Sequence, residues 1–355
     1  MRFSLALLLL AAASLEAQTS RHELRGRRVA VYNLVGTLRV EGGTGSAVGV
    51  ELTRRGRDAS RLRVESGEVG GMEALRVIYP ADRVVAPAEY RREGRWGWRG
   101  QRMSRLRVRS DGTFGDGWGS RGDEVEIVSE GRGMEAAADL TVTVPKGQQI
   151  ALHLAVGEAI VRNVDGEIDV DVHMASVEAS GTAGVLRLDT GSGEVTVRDV
   201  QGELEIDSGS GSVTVTGMRG RSLRLDTGSG SLTATRVVVD ELRLDTGSGR
   251  VVLRDVQAPD LTVDTGSGGV EVELTADVDR MMVESGSGGI TIGIPRSLGA
   301  EIDVRTGSGG IDLDVPVSAR RTERRRLVGT VGDGKGRMVV ETGSGGVRIR
   351  ESMSR

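Results

Sequence analysis

The residues best equipped for chemistry in this sequence are aspartates that open a repeated pentapeptide. Asp189-Thr190-Gly191-Ser192-Gly193 returns at Asp207 (with Ser for Thr), Asp226, Asp245 and Asp264, and with a changed first residue at Glu284, Arg305 and Glu341. Asp-Thr-Gly-Ser after two alternating apolar residues, as in Val263-Asp264-Thr265-Gly266-Ser267, is also the nucleophile motif of aspartic proteases. That chemistry needs two carboxylates sharing one proton, delivered by two separate lobes or subunits. Copies every 18–21 residues leave no room for a lobe between them. A local role fits better: each carboxylate is expected to accept hydrogen bonds from the Gly and Ser amides of the turn that follows it. A column of like charges also repels itself. This makes Ca²⁺ the one candidate cofactor, with Asp189, Asp207, Asp226, Asp245 and Asp264 as its candidate ligands. The glycine-aspartate nonapeptide order of calcium β-rolls is absent.

A second constellation is basic and aromatic. Residues 83–109 hold nine Arg against two Glu, and five of the eight aromatics of the chain lie between 80 and 122. Arg interleaved with Trp suits anionic polymers or sugars, through charge and stacking. Tyr90, Arg91, Arg92, Arg95, Trp96, Trp98 and Trp118 are therefore the candidate ligand-binding residues. His153 and His173 sit two positions out of register and read as surface histidines. A further basic run, Arg320 to Arg326, falls in a 36-residue gap before the last repeat, which is expected to hold an irregular coil carrying a basic loop.

The elements that position these groups follow from periodicity. With His153 and Asp171 as degenerate first members, the pentapeptide position recurs at intervals of 18, 18, 18, 19, 19, 19, 20, 21 and 36 residues. Each unit holds two period-two apolar runs, such as Leu186-x-Leu188 and Val195-x-Val197, and so predicts two strands with one buried face each. Gly-Ser-Gly turns the chain between them, and a second turn is expected near Val200-Gln201-Gly202. Two short strands cannot bury a face alone, but stacked units can. The fold class is therefore all-β: a single-stranded β-solenoid of about 18–21 residues per coil, with coils ~4.8 Å apart. The Thr column (190, 227, 246, 265, 306, 342) should point inward, where hydroxyl ladders can pair.

Composition agrees. The 355 residues include 54 Gly and only 2% aromatics, and a narrow coil has space for stacked Val, Leu and Ile rather than rings. With no Cys there is no disulfide scaffold, thiolate metal site or cysteine nucleophile. Three His and a net charge of −4 argue against a multi-histidine centre and a nucleic-acid partner. Residues 1–17 read as a signal peptide: Arg2, an apolar run from Leu5 to Ala13, and Ala17 before Gln18. The expected organisation is a signal peptide over 1–17, an irregular β region or cap over 18–148 with the Arg/Trp-rich insertion at about 80–122, a solenoid over 149–350, and a tail at 351–355. The mature chain should carry no transmembrane segment and work in the periplasm or at the cell surface.

The tandem apolar-x-apolar-[Asp/Glu]-[Thr/Ser]-Gly-Ser-Gly-x-apolar-x-apolar unit, the late Gly332-Asp333-Gly334-Lys335-Gly336-Arg337 and the closing Glu341-Thr342-Gly343-Ser344-Gly345 resemble the bacterial putative-adhesin domain family of unknown function. The resemblance covers about 150–350, and 28–80 more loosely; the insertion at 80–122 is outside its pattern. It implies a β-helical repeat domain of bacterial envelope or surface proteins and carries no catalytic residues. The expected function is an exported, non-enzymatic adhesin-like scaffold for an envelope, glycan or protein ligand. The alternatives are an envelope-stress sensor or protein-interaction scaffold and a carbohydrate-active β-helix enzyme. The enzyme fits least, because no aromatic subsite follows residue 118.

Overall fold

The computed structural model describes residues 19–92, 103–115 and 122–352. The signal-peptide reading of 1–17 lies outside them, as do Arg95, Trp96, Trp98 and Trp118. Among the described residues no helix is long and apolar enough to cross a membrane.

The solenoid is present. From Gln148–Arg162 onward, each coil pairs in parallel with the next at the offset of the repeat: Asp171 lies beside Asp189, Asp189 beside Asp207, and Asp226 beside Asp245. The like-on-like columns follow from this register. Leu186, Leu204, Leu223, Leu242 and Leu261 form one buried row, and Val195, Val213, Leu232, Val251 and Val270 form another on the facing side.

The corners explain the small residues. Gly211 has φ +148°, and a Cβ there would fall 1.9 Å from the Gly193 carbonyl oxygen of the preceding coil. Gly230 meets the Gly211 oxygen at the same 1.9 Å. The backbones are too close for any side chain, whatever the dihedral angle. The second bend spans the expected place. Asp199 adopts φ +53°, in a column with Asn163, Arg236 and Asp255 at +52° to +56°, and Gly202 adopts φ +120°, while strand pairing continues through the bend. Asp and Asn tolerate this left-handed conformation because their short polar side chains bond locally.

The Thr column is buried as expected, but its hydroxyls do not pair with one another. Thr342 Oγ1 donates to the Gly288 carbonyl of the adjacent coil (2.8 Å) and accepts from Gly345 N–H of its own turn (3.1 Å). Ser285 and Thr306 do the same with Gly268 and Gly345 carbonyls and with Gly288 and Gly309 amides. From Thr265 onward Thr or Ser therefore caps the corner, the role the sequence reading gave to Asp, whereas the buried hydroxyls of Thr190, Ser208 and Thr227 have no hydrogen-bond partner among the described residues. No hydrogen bond from the turn amides to the aspartates is present among the described residues.

Both ends depart from sequential stacking. The last coil in the chain is not the last in space. Gly336–Thr342 inserts between Arg280–Ser285 and Ala300–Thr306, pairing in parallel with both. Val347–Glu351 likewise inserts between Ile290–Ile294 and Ile311–Asp314. The 36-residue gap contains no coil. Ser318–Glu323 and Arg326–Val331 form an antiparallel hairpin laid on Ala300–Thr306. At the other end Arg28–Gly43 pairs with Gln148–Arg162 on one side and with Ala137–Pro145 on the other, so it too is intercalated. Antiparallel pairs cover the outer edges there, Arg63–Val69 with Met72–Ile78 and Thr19–Leu24 with Val48–Arg55. Covering the edge removes the open ladder that a solenoid end would present.

Candidate functional site

Register assembles one long feature that the sequence only sketches. In space the pentapeptide column runs Arg76, Tyr32, His153, Asp171, Asp189, Asp207, Asp226, Asp245, Asp264, Glu284, Glu341, Arg305, Arg326. Eight carboxylates stand in line at ~4.8 Å spacing, with cations or aromatics at both ends. At the far end Arg305 lies 3.8 Å from Glu341 and, with Arg326, grips Asp303. Burial would raise the Asp303 pKa, but the hydrogen bonds from Arg326 and Arg305 outweigh it and hold this carboxyl below its ordinary value.

Between the ends, no ion pair reaches Asp189, Asp207, Asp226, Asp245, Asp264 or Glu284 from the described residues. Partial burial and then the flanking carboxylates push Asp189, Asp226 and Glu284 above the ordinary carboxylate range. For Glu284 the neighbours are Asp264 and Glu341, an adjacency that only the intercalated last coil creates. The candidate Ca²⁺ ligands thus form a line rather than a cage. Among the described residues no three His, Asp or Glu side chains surround a common point. Nor do two of the aspartates face each other from separate lobes; they are in-register neighbours in one sheet.

The raised values have a signed consequence. A carboxyl whose folded pKa exceeds its unfolded one destabilises the fold when charged, and the strain is relieved as pH falls through the folded pKa. Asp226→Asn, which removes a charge between two like neighbours, is expected to stabilise the protein at pH 7 by about 0.5 kcal/mol, the scale of a screened cross-strand like-charge pair. The gain should fade as pH falls through the raised folded pKa, be gone below the ordinary carboxylate range, and shrink in high salt. Urea melts at pH 7 and pH 4 read it, and a destabilised variant at pH 7 would contradict the charge-repulsion account.

The near end of the column is where the insertion attaches. His153 is 8% exposed, its Nδ1 is 3.2 Å from Asp171 Oδ2, and its ring stacks on Tyr32 with centroids 4.2 Å apart and planes 1° apart. Phe114 meets Tyr32 edge-on at 5.9 Å and is itself buried. Gly115 passes so close that a Cβ would lie 2.5 Å from Asp171 Oδ2. His153 is thus a packed clasp residue partnered by Asp171, while His173 is exposed and apart from it.

The insertion is not a bare loop. Arg83–Val85, Met103–Val108, Asp123–Val128 and Met134–Glu135 make a separate four-stranded sheet. In the antiparallel pair Met103 lies opposite Val128 and Val108 opposite Asp123. Tyr90, on the short helix Ala88–Arg92, is a mount rather than an open platform: its hydroxyl donates to Asp139 Oδ1 (2.7 Å). Burial and Asp139 push the Tyr90 pKa strongly upward. Asp139 also takes Thr37 N–H and Arg55 Nε, which ties the insertion to the first coil. Arg91 and Arg92 end the same helix; Arg95, Trp96, Trp98 and Trp118 are not among the described residues. The sequence reading missed Phe114 as an anchor, although an aromatic beside Gly in a ring-poor chain was the available signal.

Comparison with known proteins places this geometry. The profile of a family described as Toastrack DUF4097 matches residues 131–350. No curated protein matches the chain. Two solved structures are similar at low identity. One is described as a putative cell adhesion protein from Clostridium sporogenes, at 10% identity over 95% of this chain and 100% of that one, with a TM-score of 0.19. The other is described as a putative lipid binding protein from Parabacteroides distasonis, at 12% identity over 93% and 96%, with a TM-score of 0.38.

Proposed function

This chain belongs to the Toastrack DUF4097 family, and from that premise we propose that it is an exported, non-enzymatic scaffold that presents the Arg/Trp insertion to a ligand of the cell envelope or surface. The observation that carries this reading is how the insertion is mounted. Tyr90 on Asp139, and Phe114 on Tyr32 and His153, fix its base to the coil stack. Arg and Trp offer charge and stacking to an acidic glycan.

The test is binding of the purified chain to envelope fractions of the native host and to acidic glycans. Replacing Trp96, Trp98 and Trp118 by Ala together is expected to weaken binding at least tenfold with the β-sheet spectrum unchanged. Binding that survives the triple replacement would remove the insertion from the function. Turnover of a glycan would replace the scaffold by an enzyme.

A further inference from the structure

The hairpin at the far end of the solenoid has a composition that its packing does not require. Ser318–Glu323 is exposed at every residue, and Arg324 and Arg325 at the tip are exposed as well. The outer strand is an edge strand, paired only with Arg326–Val331 among the described residues. It buries no apolar side chain, so core packing does not explain its residues. Between 318 and 331 stand five Arg and one Glu, in a chain whose net charge is −4.

Three of these arginines are engaged locally. Arg320 pairs with Glu301, Arg321 with Glu323, and Arg326 with Asp303. Charged edge strands also discourage edge-to-edge pairing, which accounts for Arg320 and Arg321. Arg324 and Arg325 lie in the turn beyond the ladder and have no ion-pair partner among the described residues. Two adjacent guanidinium forks on an exposed tip match phosphate oxygens, which they can grip bidentately. The rod has no aromatic after residue 118, so this end offers no platform for sugar stacking. Nor does the tip carry an apolar side chain to insert into hydrocarbon; Leu327 and Val328 are already half-buried against the coil.

We propose that this hairpin is a peripheral docking point for an anionic phospholipid surface, held by the headgroup phosphates through Arg324 and Arg325 and their paired neighbours. It lies at the end of the rod away from the Arg/Trp insertion and does not rest on the function proposed for that insertion. The contact is electrostatic and surface-bound, and therefore salt-sensitive.

The experiment is co-sedimentation of the purified mature chain with vesicles of phosphatidylcholine alone and of phosphatidylcholine with 30% phosphatidylglycerol, at low and high salt. Binding is expected only to the anionic vesicles and should be lost in 0.5 M NaCl. The double variant Arg324→Gln/Arg325→Gln is expected to weaken it roughly 30-fold. The Arg→Lys pair keeps the charge but loses the bidentate fork and should bind between the parent and the Gln pair, and the Trp triple variant should bind as the parent does. Equal sedimentation with both vesicle types, or no loss in the Gln pair, would overturn the proposal. So would inorganic phosphate at millimolar concentration displacing the protein completely, since that would mark a free-phosphate site. Preferential, arginine-dependent binding to an acidic polysaccharide would replace the lipid by a glycan.

Discussion

Gly230→Ala is expected to cost about 4 kcal/mol or more of stability, at the upper end of what single substitutions do. The added Cβ would lie 1.9 Å from the Gly211 carbonyl oxygen, well inside van der Waals contact. Neither atom is on a flexible side chain, so the methyl can be admitted only by prising two coils apart. That strains the hydrogen bonds stitching this corner, Gly211 N–H to Ser229 O (3.1 Å) and Gly230 N–H to Ser248 O (3.2 Å). Gly310→Ala is the matched control, because nothing lies within 4 Å of its Cβ position; it should change stability by no more than about 0.5 kcal/mol. A stacked array need not melt as one unit. Hydrogen exchange is therefore the sharper readout: amides of the coils around 211–249 should lose protection in the Gly230 variant and keep it in the control. Equal behaviour of the two variants would refute the close-approach account.

The second large effect concerns the inserted last coil. Glu273, Gly293 and Arg350 occupy one column of three neighbouring strands. Gly293 has no Cβ, and the Glu273 carboxylate fills that space, with Oε2 2.0 Å from where the Cβ would be. Arg350 reaches across the gap and holds both carboxylate oxygens, and Ser352 Oγ donates a further bond at 3.2 Å. The side chains are 11% and 18% exposed, so this pair is largely desolvated. Glu273→Ala strands a buried guanidinium and is expected to cost about 3–5 kcal/mol. Replacing both partners, Glu273→Leu with Arg350→Met, should recover most of the loss, since an apolar pair of similar volume avoids the unpaired charge. Limited proteolysis reads the consequence, with 336–351 cut early in the single variant and protected in the double. If both variants were equally unstable, the bridge would not be what pins this coil.

The pentapeptide array disclosed the solenoid because each coil must solve the same corner problem. A close carbonyl excludes side chains, so Gly recurs; in the coils from Thr265 onward an orphan turn amide finds its acceptor in the Thr or Ser that precedes it. The role division was harder to read. Asp and Thr can both cap a turn, and only their placement shows that Thr points into the corner while Asp faces outward along the column. The near end was partly legible. His153 stood at the Asp position by alignment, but its partners Tyr32 and Phe114 come from 121 and 39 residues away in the chain. The insertion was visible as a change in composition, but not as a four-stranded sheet.

What the sequence by itself determined is the repeating unit: its period, its buried columns, its glycine corners and the line of carboxylates. These are nearest-neighbour properties, written with small changes in every copy. What only the tertiary structure decided is the order of the copies at the ends. The unit containing Glu341 has the same apolar pattern as its neighbours, so parallel register accepts it in more than one slot. Burial at the ends breaks that degeneracy. An antiparallel hairpin covers the outer coil with a short, arginine-rich edge that resists further pairing. With Ser318–Val331 closing it, the last coil is left to fill the layer inside, where Glu273 meets Arg350 and Glu284 meets Glu341.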